Sequence, residues 1–235
     1  MRLLGVDLGG TKIAVATFSK EGSIIEQSTV LLNGSSGKEV GELIQKEVSM
    51  RIEIGLRTDN PIDSIAISVP GISNTKEGTV WAPNIPDWEK YPLLDEIKKI
   101  AINIPVVIES DRTCYILGEV WKGAAKGCND AIYMSVGTGI GAGIIIDGHV
   151  FRGANDISGA IGWMALKDPY DEKFESCGHF EYYASGEGIA RLAKELSSES
   201  ITYKGALSEL SVITAYDVFE AYERGDELAK AVFAQ

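Results

Sequence analysis

Apolar positions along this chain change period several times, and each change predicts an element. Residues 1–31 alternate with a period of two, interrupted at Gly9-Gly10 and Glu21-Gly22, and predict three strands. Ser36 with Glu39 forms a capping-box pattern, and the helix it starts carries Val40, Leu43, Ile44 and Val48 on its core face. Ser64–Val69 alternates again and stops at Pro70-Gly71. Residues 78–88, rich in Pro, Asn and Trp, predict a loop, and Pro92–Ile100 a helix. Pro105–Ile108 reads as a buried strand that ends at Glu109-Ser110-Asp111. The helix after it places Cys114, Leu117, Val120, Trp121 and Ala124 on one face, with Gly127 as its stop.

Strands resume from Ala131 to Val150. Residues 151–182 are irregular, and a loop of that length in a compact domain points to function. Glu187–Leu196 is amphipathic, with Ile189, Leu192, Ala193 and Leu196 inward. Thr214 and Asp217 start another helix that ends at Gly225. Asp226 caps a last helix, which presents Leu228, Ala229 and Val232 and is still running at Gln235. The elements read as an α/β chain, with a boundary placed between 1–111 and 112–235; no Gly/Ser linker marks it, so the two parts are expected to be continuous through the helix after Asp111.

Bulk properties narrow the partners. A chain of 235 residues with 45% hydrophobic content can bury two small cores. Net charge is -12, and the 22 Lys+Arg form no basic block, which argues against nucleic acid and anionic membranes. Cys114, Cys128 and Cys177 are an odd, scattered set, which fits a reducing cytoplasm rather than a disulfide framework. Met1-Arg2-Leu3-Leu4 runs directly into the first strand, so no leader is expected. The run Ile140–Ile146 is too short and glycine-rich to cross a membrane.

Two stretches share one design. In Gly5-Val6-Asp7-Leu8-Gly9-Gly10-Thr11-Lys12-Ile13, an apolar run ends in an acid, a Gly-Gly turn follows, and a second apolar run leaves it. A Rossmann or Walker loop opens into a helix. Here Ile13–Phe18 is β-branched and alternating, so the turn joins antiparallel strands. Such a turn can aim amides and the Thr11 hydroxyl at phosphate oxygens, and Asp7 could hold Mg²⁺ through water. Taken alone, an ordinary glycine hairpin explains the stretch equally well. Met134–Gly148 repeats the design around Gly137-Thr138-Gly139. Two phosphate-type hairpins in one chain point to two lobes closing on one nucleotide.

This pairing resembles the actin, hexokinase and Hsp70 superfamily of ATP-binding folds. The wording Asp7-Leu8-Gly9-Gly10-Thr11-Lys12 with Gly137-Thr138-Gly139-Ile140-Gly141 looks like the ROK family of sugar kinases and sugar-responsive repressors. The resemblance runs over nearly the whole chain and implies a two-lobed, ribonuclease H-like fold with nucleotide and sugar in the interlobe cleft. It implies ATP and Mg²⁺, with Gly9, Gly10, Thr11, Lys12, Gly137, Thr138 and Gly139 cradling phosphates. Glu109-Ser110-Asp111 lies where the family carries Glu-Asn-Asp, whose Asp is the catalytic base. By position alone Asp111 is an ordinary N-cap. Trp81-Ala82-Pro83-Asn84 resembles the family's sugar loop, with Asn84 as the hydroxyl contact, though Asn84 also suits a turn. Pro70-Gly71 matches its strand-end turn, and Glu181 its late sugar-contacting Glu. The implied sugar set is Pro70, Gly71, Asn84, Ser110, Asp111 and Glu181.

The chain departs from the family at Gly159-Ala160-Ile161-Gly162-Trp163-Met164. A sugar-binding Glu has become Ala160, and a His that contacts sugar and zinc has become Trp163. Trp163 could stack on a sugar or fill the volume of the lost zinc loop, and the second is the simpler reading. Only Cys177 and His179 remain of a metal loop, so no structural zinc is expected where four ligands are needed. The family also continues past this chain, to an adenosine-holding Gly-Gly loop and a helix that packs back on the first lobe. A C-terminally truncated kinase, weak in ATP binding and slow in turnover, is therefore expected. The expected reaction is γ-phosphoryl transfer from ATP to a hexose or N-acetylhexosamine. A degenerate sugar-binding protein is the alternative. A DNA-binding repressor is disfavoured because the first phosphate strand starts at once. A homodimer is left open.

Overall fold

The first strands form as read, in a computed structural model that describes residues 1–199 and 203–235. β1 (Arg2–Leu8) pairs antiparallel with β2 (Lys12–Ser19), closing the first hairpin at Leu8↔Ile13, and β2 pairs with β3 (Ile24–Leu31). α1 (Gly37–Arg57) returns the chain so that β4 (Ser64–Val69) runs parallel to β1. β5 (Ile72–Asn74) and β6 (Thr79–Trp81) form a small hairpin, so strand structure occupies part of the segment read as loop. α2 (Leu93–Ile100) and β7 (Val106–Ser110) follow, and β7 pairs parallel with β4. The sheet order is β3-β2-β1-β4-β7.

Period-two patterning sends Leu4, Val6, Leu8, Ile13, Val15, Ile65, Ile67 and Val69 to one face, all buried. Val40, Ile44 and Val48 of α1 and Leu93 and Ile97 of α2 pack into the same core. The segment after β6 closes it with Trp88, 1% exposed and stacked on Tyr91 at 4.2 Å. That segment also replaces the predicted capping box. Ser36 makes no side-chain cap bond. Gly37, at φ +50, donates its amide to Pro86 O at 3.0 Å, and its carbonyl accepts Trp88 Nε1 at 2.8 Å. A left-handed residue directly after Ser36 starts the helix from the loop instead of from a cap.

α3 (Asp111–Lys122) ends at Gly123 rather than Gly127. Its buried residues are Thr113 and Ile116, whereas Leu117 and Trp121 are 43% and 55% exposed. The predicted face was therefore rotated away from the true one. Trp121 lies over Gly22 in the β2–β3 turn, and Lys122 Nζ donates to Glu21 O at 3.2 Å. The strand β7 is at the sheet edge, with Val107 52% exposed, so it is less buried than its composition implied.

Contacts divide the chain into two compact units, Met1–Cys128 with Arg152–Ile157, and Asn129–Phe151 with Ser158–Gln235. This division does not fall at 111/112, because α3 packs on β4 and β7 of the first unit. In the second unit, β8 (Ala131–Val136), β9 (Ile140–Ile146) and β10 (His149–Val150) form an antiparallel sheet in the order β10-β9-β8. Short 3₁₀ turns at Ile161–Trp163 and Glu172–Phe174 interrupt the long loop. α4 (His179–Ala184), α5 (Gly186–Glu199), α6 (Ala215–Glu223) and α7 (Glu227–Phe233) complete the unit. Ile189, Leu192, Ala193, Leu207, Val218, Ala221, Leu228, Ala229 and Val232 form its helical core. Thr214 and Asp217 make a true capping box, and Asp226 accepts from the amides of Leu228 and Ala229. α7 ends at Phe233, short of the run to Gln235 read from the sequence.

Candidate functional site

The first hairpin is held by its own backbone. Gly9 N donates to Lys12 O at 2.9 Å, and Leu32 N donates to Thr11 O at 2.9 Å. Among the described residues no protein acceptor meets the amides of Gly10 and Thr11, and both residues are exposed. That leaves two adjacent N–H donors and the Thr11 hydroxyl for an anion. Lys12 is exposed beside them, and Asp7 is exposed at the end of β1. Asn84 belongs to the same neighbourhood. A Cβ built on Gly10 would stand 3.3 Å from Asn84 Nδ2, so the sugar-loop candidate overhangs the phosphate hairpin.

The β7–α3 junction holds the other candidates. Ser110, 8% exposed, is the N-cap of α3, where its Oγ accepts from Thr113 N at 3.3 Å and lies 3.0 Å from Thr113 Oγ1. The hydroxyl expected to meet a sugar is therefore already engaged by the helix. The cap role weighed for Asp111 falls to Ser110, and Asp111 is the first helical residue. Asp111 Oδ1 accepts from Arg112 N at 2.7 Å. Burial raises the Asp111 pKa above the ordinary aspartate value. The Arg112 amide and guanidinium lower it, and the nearby Asp7 charge raises it. Its neighbour Cys114 is pushed up to about 11, chiefly by burial.

Arg112 and Arg152 bond to residues that neighbour the candidates, and sequence reading missed both. Arg112 Nη2 donates to Gly71 O at 2.9 Å, joining the turn after Pro70 to the start of α3. A cation in the first turn of a helix works against the helix dipole, and that mismatch was the available signal. Arg152 pairs with Glu109, and Asp156 accepts from the amide and hydroxyl of Thr75 at 3.2 and 3.1 Å. These two clips fasten Arg152–Ile157 to the first unit. No sequence pattern announces such pairings across the chain.

In the second unit, Gly137 N donates to Gly139 O at 2.9 Å, and Gly186 N donates to Gly137 O at 2.7 Å. Among the described residues, no protein acceptor meets the amides of Thr138 and Gly139. This hairpin thus repeats the adjacent pair of amides without a protein acceptor found in the first. Glu181, at the front of α4, directs Oε2 to Ile140 N at 2.7 Å. Ala160 has no polar side chain to contribute, and Trp163 is 45% exposed, so it does not fill buried volume as expected.

The segment that carries Cys177 and His179 holds an aromatic cluster. Phe174, 3% exposed, meets Tyr170, His179, Tyr182 and Tyr183 with ring centroids at 5.6, 4.6, 5.1 and 5.7 Å. His179 is part of that cluster. Among the described residues, no group of three or more His, Cys, Asp or Glu is gathered in a way that could hold a metal ion.

An α/β fold with a glycine hairpin in each unit, and a half-buried carboxylate at a strand–helix junction of the first, is the fold shared with ROK proteins of the actin/hexokinase class. The chain is a member of the ROK family, whose model matches residues 3–235. It is 31% identical over 239 residues to a glucokinase of Halalkalibacterium halodurans, covering 97% of this chain and 71% of that protein. It is 30% identical over 234 residues to a xylose repressor of Caldicellulosiruptor bescii, covering 97% of this chain and 58% of the repressor. A ROK family glucokinase from Streptomyces griseus, solved with glucose and AMPPNP, superposes with a TM-score of 0.72 at 30% identity, over 99% of this chain and 74% of that one.

Proposed function

We propose that this protein transfers the γ-phosphoryl group of ATP to a hydroxyl of a hexose or N-acetylhexosamine. The observation that carries the reading is the Asp111 carboxyl, half-buried at the β7–α3 junction with its pKa raised by desolvation and a cation beside it. A general base works best when its pKa lies near the operating pH, and burial moves Asp111 in that direction. In this reading Asp111 orients the attacking hydroxyl and accepts its proton at the carboxylate. Asn84 and the Pro70-Gly71 turn hold the sugar, with Glu181 and Ser110 as further members of that set. The amides of Gly10, Thr11, Thr138 and Gly139, with Lys12, receive phosphate oxygens. An exposed carboxylate suits Mg²⁺, which keeps most of its waters, and Asp7 would hold the ion through one of them. Mg²⁺, when bound, neutralises charge on the phosphates during transfer. The partners are small molecules. No described helix is long and apolar enough to cross a membrane, and we place the protein in the cytoplasm.

The test is ATP turnover with a panel of hexoses and N-acetylhexosamines, comparing the protein with Asp111→Ala. Sugar-dependent ADP release lost in the variant supports the reading. Ala160 and Trp163 favour a second reading, a sugar-binding protein without catalysis, because lost hydrogen-bond partners weaken discrimination among hydroxylated ligands. Heat of sugar binding by calorimetry, without any turnover, would decide for it.

A further inference from the structure

We propose that Glu181 is a positioning residue of the second phosphate hairpin, whose carboxylate fixes the two amides that the hairpin presents. The inference rests on the proposed role of Gly137, Thr138 and Gly139 in phosphate binding. Glu181 Oε2 accepts from Ile140 N at 2.7 Å, across 41 residues of sequence. A charge-assisted bond of this kind is stronger than one between neutral groups. The carboxylate also occupies the space beside two glycines. A Cβ on Gly139 would lie 2.9 Å from Glu181 Oε2, and a Cβ on Gly162 would lie 2.8 Å from the same atom. Glycine at both positions leaves room for the carboxylate to sit on the Ile140 amide without moving aside.

The other side of the hairpin is tied to the same corner of the fold. Gly186 N, at the first residue of α5, donates to Gly137 O at 2.7 Å. The hairpin's Gly137 amide is used internally by Gly139 O, and its Ile140 amide is taken by Glu181. Among the described residues, what remains without a protein acceptor is the Thr138–Gly139 pair of amides. Glu181 thereby selects which donors face an anion and prevents Ile140 from turning its amide outward. A carboxylate kept on the backbone in this way acts on the nucleotide as well as on any sugar it meets.

The experiment measures AMPPNP binding with Mg²⁺ by calorimetry for the protein, Glu181→Ala, Glu181→Gln and Gly139→Ala. Loss of a positioned donor pair should weaken AMPPNP about tenfold in Glu181→Ala, the equivalent of one charge-assisted hydrogen bond. Glu181→Gln keeps an oxygen for Ile140 N–H and should restore most of that affinity. Gly139→Ala pushes against the carboxylate, so it should weaken binding when Glu181 is present and cost little more when residue 181 is already alanine. AMPPNP affinity unchanged in Glu181→Ala, with glucose binding lost, would overturn the proposal and leave Glu181 as a sugar contact alone. A protein that binds no AMPPNP at all would overturn the phosphate reading and this inference with it.

Discussion

The guanidinium of Arg112 donates from Nη2 to the carbonyl oxygen of Gly71 at 2.9 Å, and the two residues are 41 positions apart. Gly71 sits at φ +97 in the turn that leaves β4, a conformation open to glycine and costly for most residues. Arg112 thus holds this glycine turn against the helix that carries Asp111. Arg112→Ala should lower the unfolding free energy by about 1.5–3 kcal/mol, the range for a hydrogen bond from a charged donor. Urea unfolding followed by circular dichroism measures it, and a loss below the error of the method would mean that the bond does not support the turn.

Asp111→Ala should leave Mg²⁺·AMPPNP affinity nearly unchanged and lower phosphoryl transfer roughly 10²- to 10⁴-fold, the scale of general-base loss. Near wild-type turnover in the variant would remove Asp111 from that role.

The same carboxyl predicts a pH dependence. Burial raises the folded-state pKa above the unfolded value, so between those two values the folded chain holds more protons than the unfolded one. The Asp111 contribution to stability is therefore full below the ordinary aspartate value and declines as pH rises through the raised one. Asp111→Asn should abolish that decline, gaining on the wild type as pH rises in this window. Transfer should show the opposite limb, failing as pH falls through the raised value. Unfolding free energies and initial rates across a pH series check both, and parallel stability curves for the two proteins would contradict the first.

Thiol reactivity should separate the cysteines. Cys128 is exposed, whereas Cys114 is half-buried with its thiol pushed up to about 11. The thiolate is the reactive species, so a disulfide reagent at pH 8 should modify Cys128 quickly and Cys114 slowly. Mass mapping after brief labelling would show it, and early modification of Cys114 would contradict its burial.

The aromatic cluster around Phe174 should hold the loop before α4 without metal. Phe174→Ala should cost about 3–5 kcal/mol, the range for truncating a buried aromatic side chain. Chelation should leave the unfolding transition of the unsubstituted protein unmoved. A transition that falls with chelator would show that an ion supports this loop.

Much of the sheet was legible because alternation in β1, β2 and β4 is long and regular. The β5–β6 hairpin was not, since strands of three residues in a segment rich in Pro, Asn and Trp carry no readable period. Trp88 illustrates the same limit, as composition placed it in a loop while tertiary packing made it one of the most buried side chains. In α3, Leu117 and Trp121 are large enough to dominate a helical projection, yet the smaller Thr113 and Ile116 are the residues that are buried. Candidate site residues were legible where a motif is local, as at Gly9-Gly10 and Gly137-Thr138-Gly139. Arg112, Arg152 and the bond from Glu181 to Ile140 depend on partners 41 or 43 residues away, which only the fold brings near.

The return of Arg152–Ile157 to the first unit bears on how this chain can be divided. A break after Cys128 yields no independent halves. The leading fragment would keep Glu109 and Thr75 but lose Arg152 and Asp156, the groups that pair with them. The trailing fragment would carry those groups with nothing of its own to receive them. Each half would be completed only by the other, so the two should behave as complementing pieces rather than as separable modules.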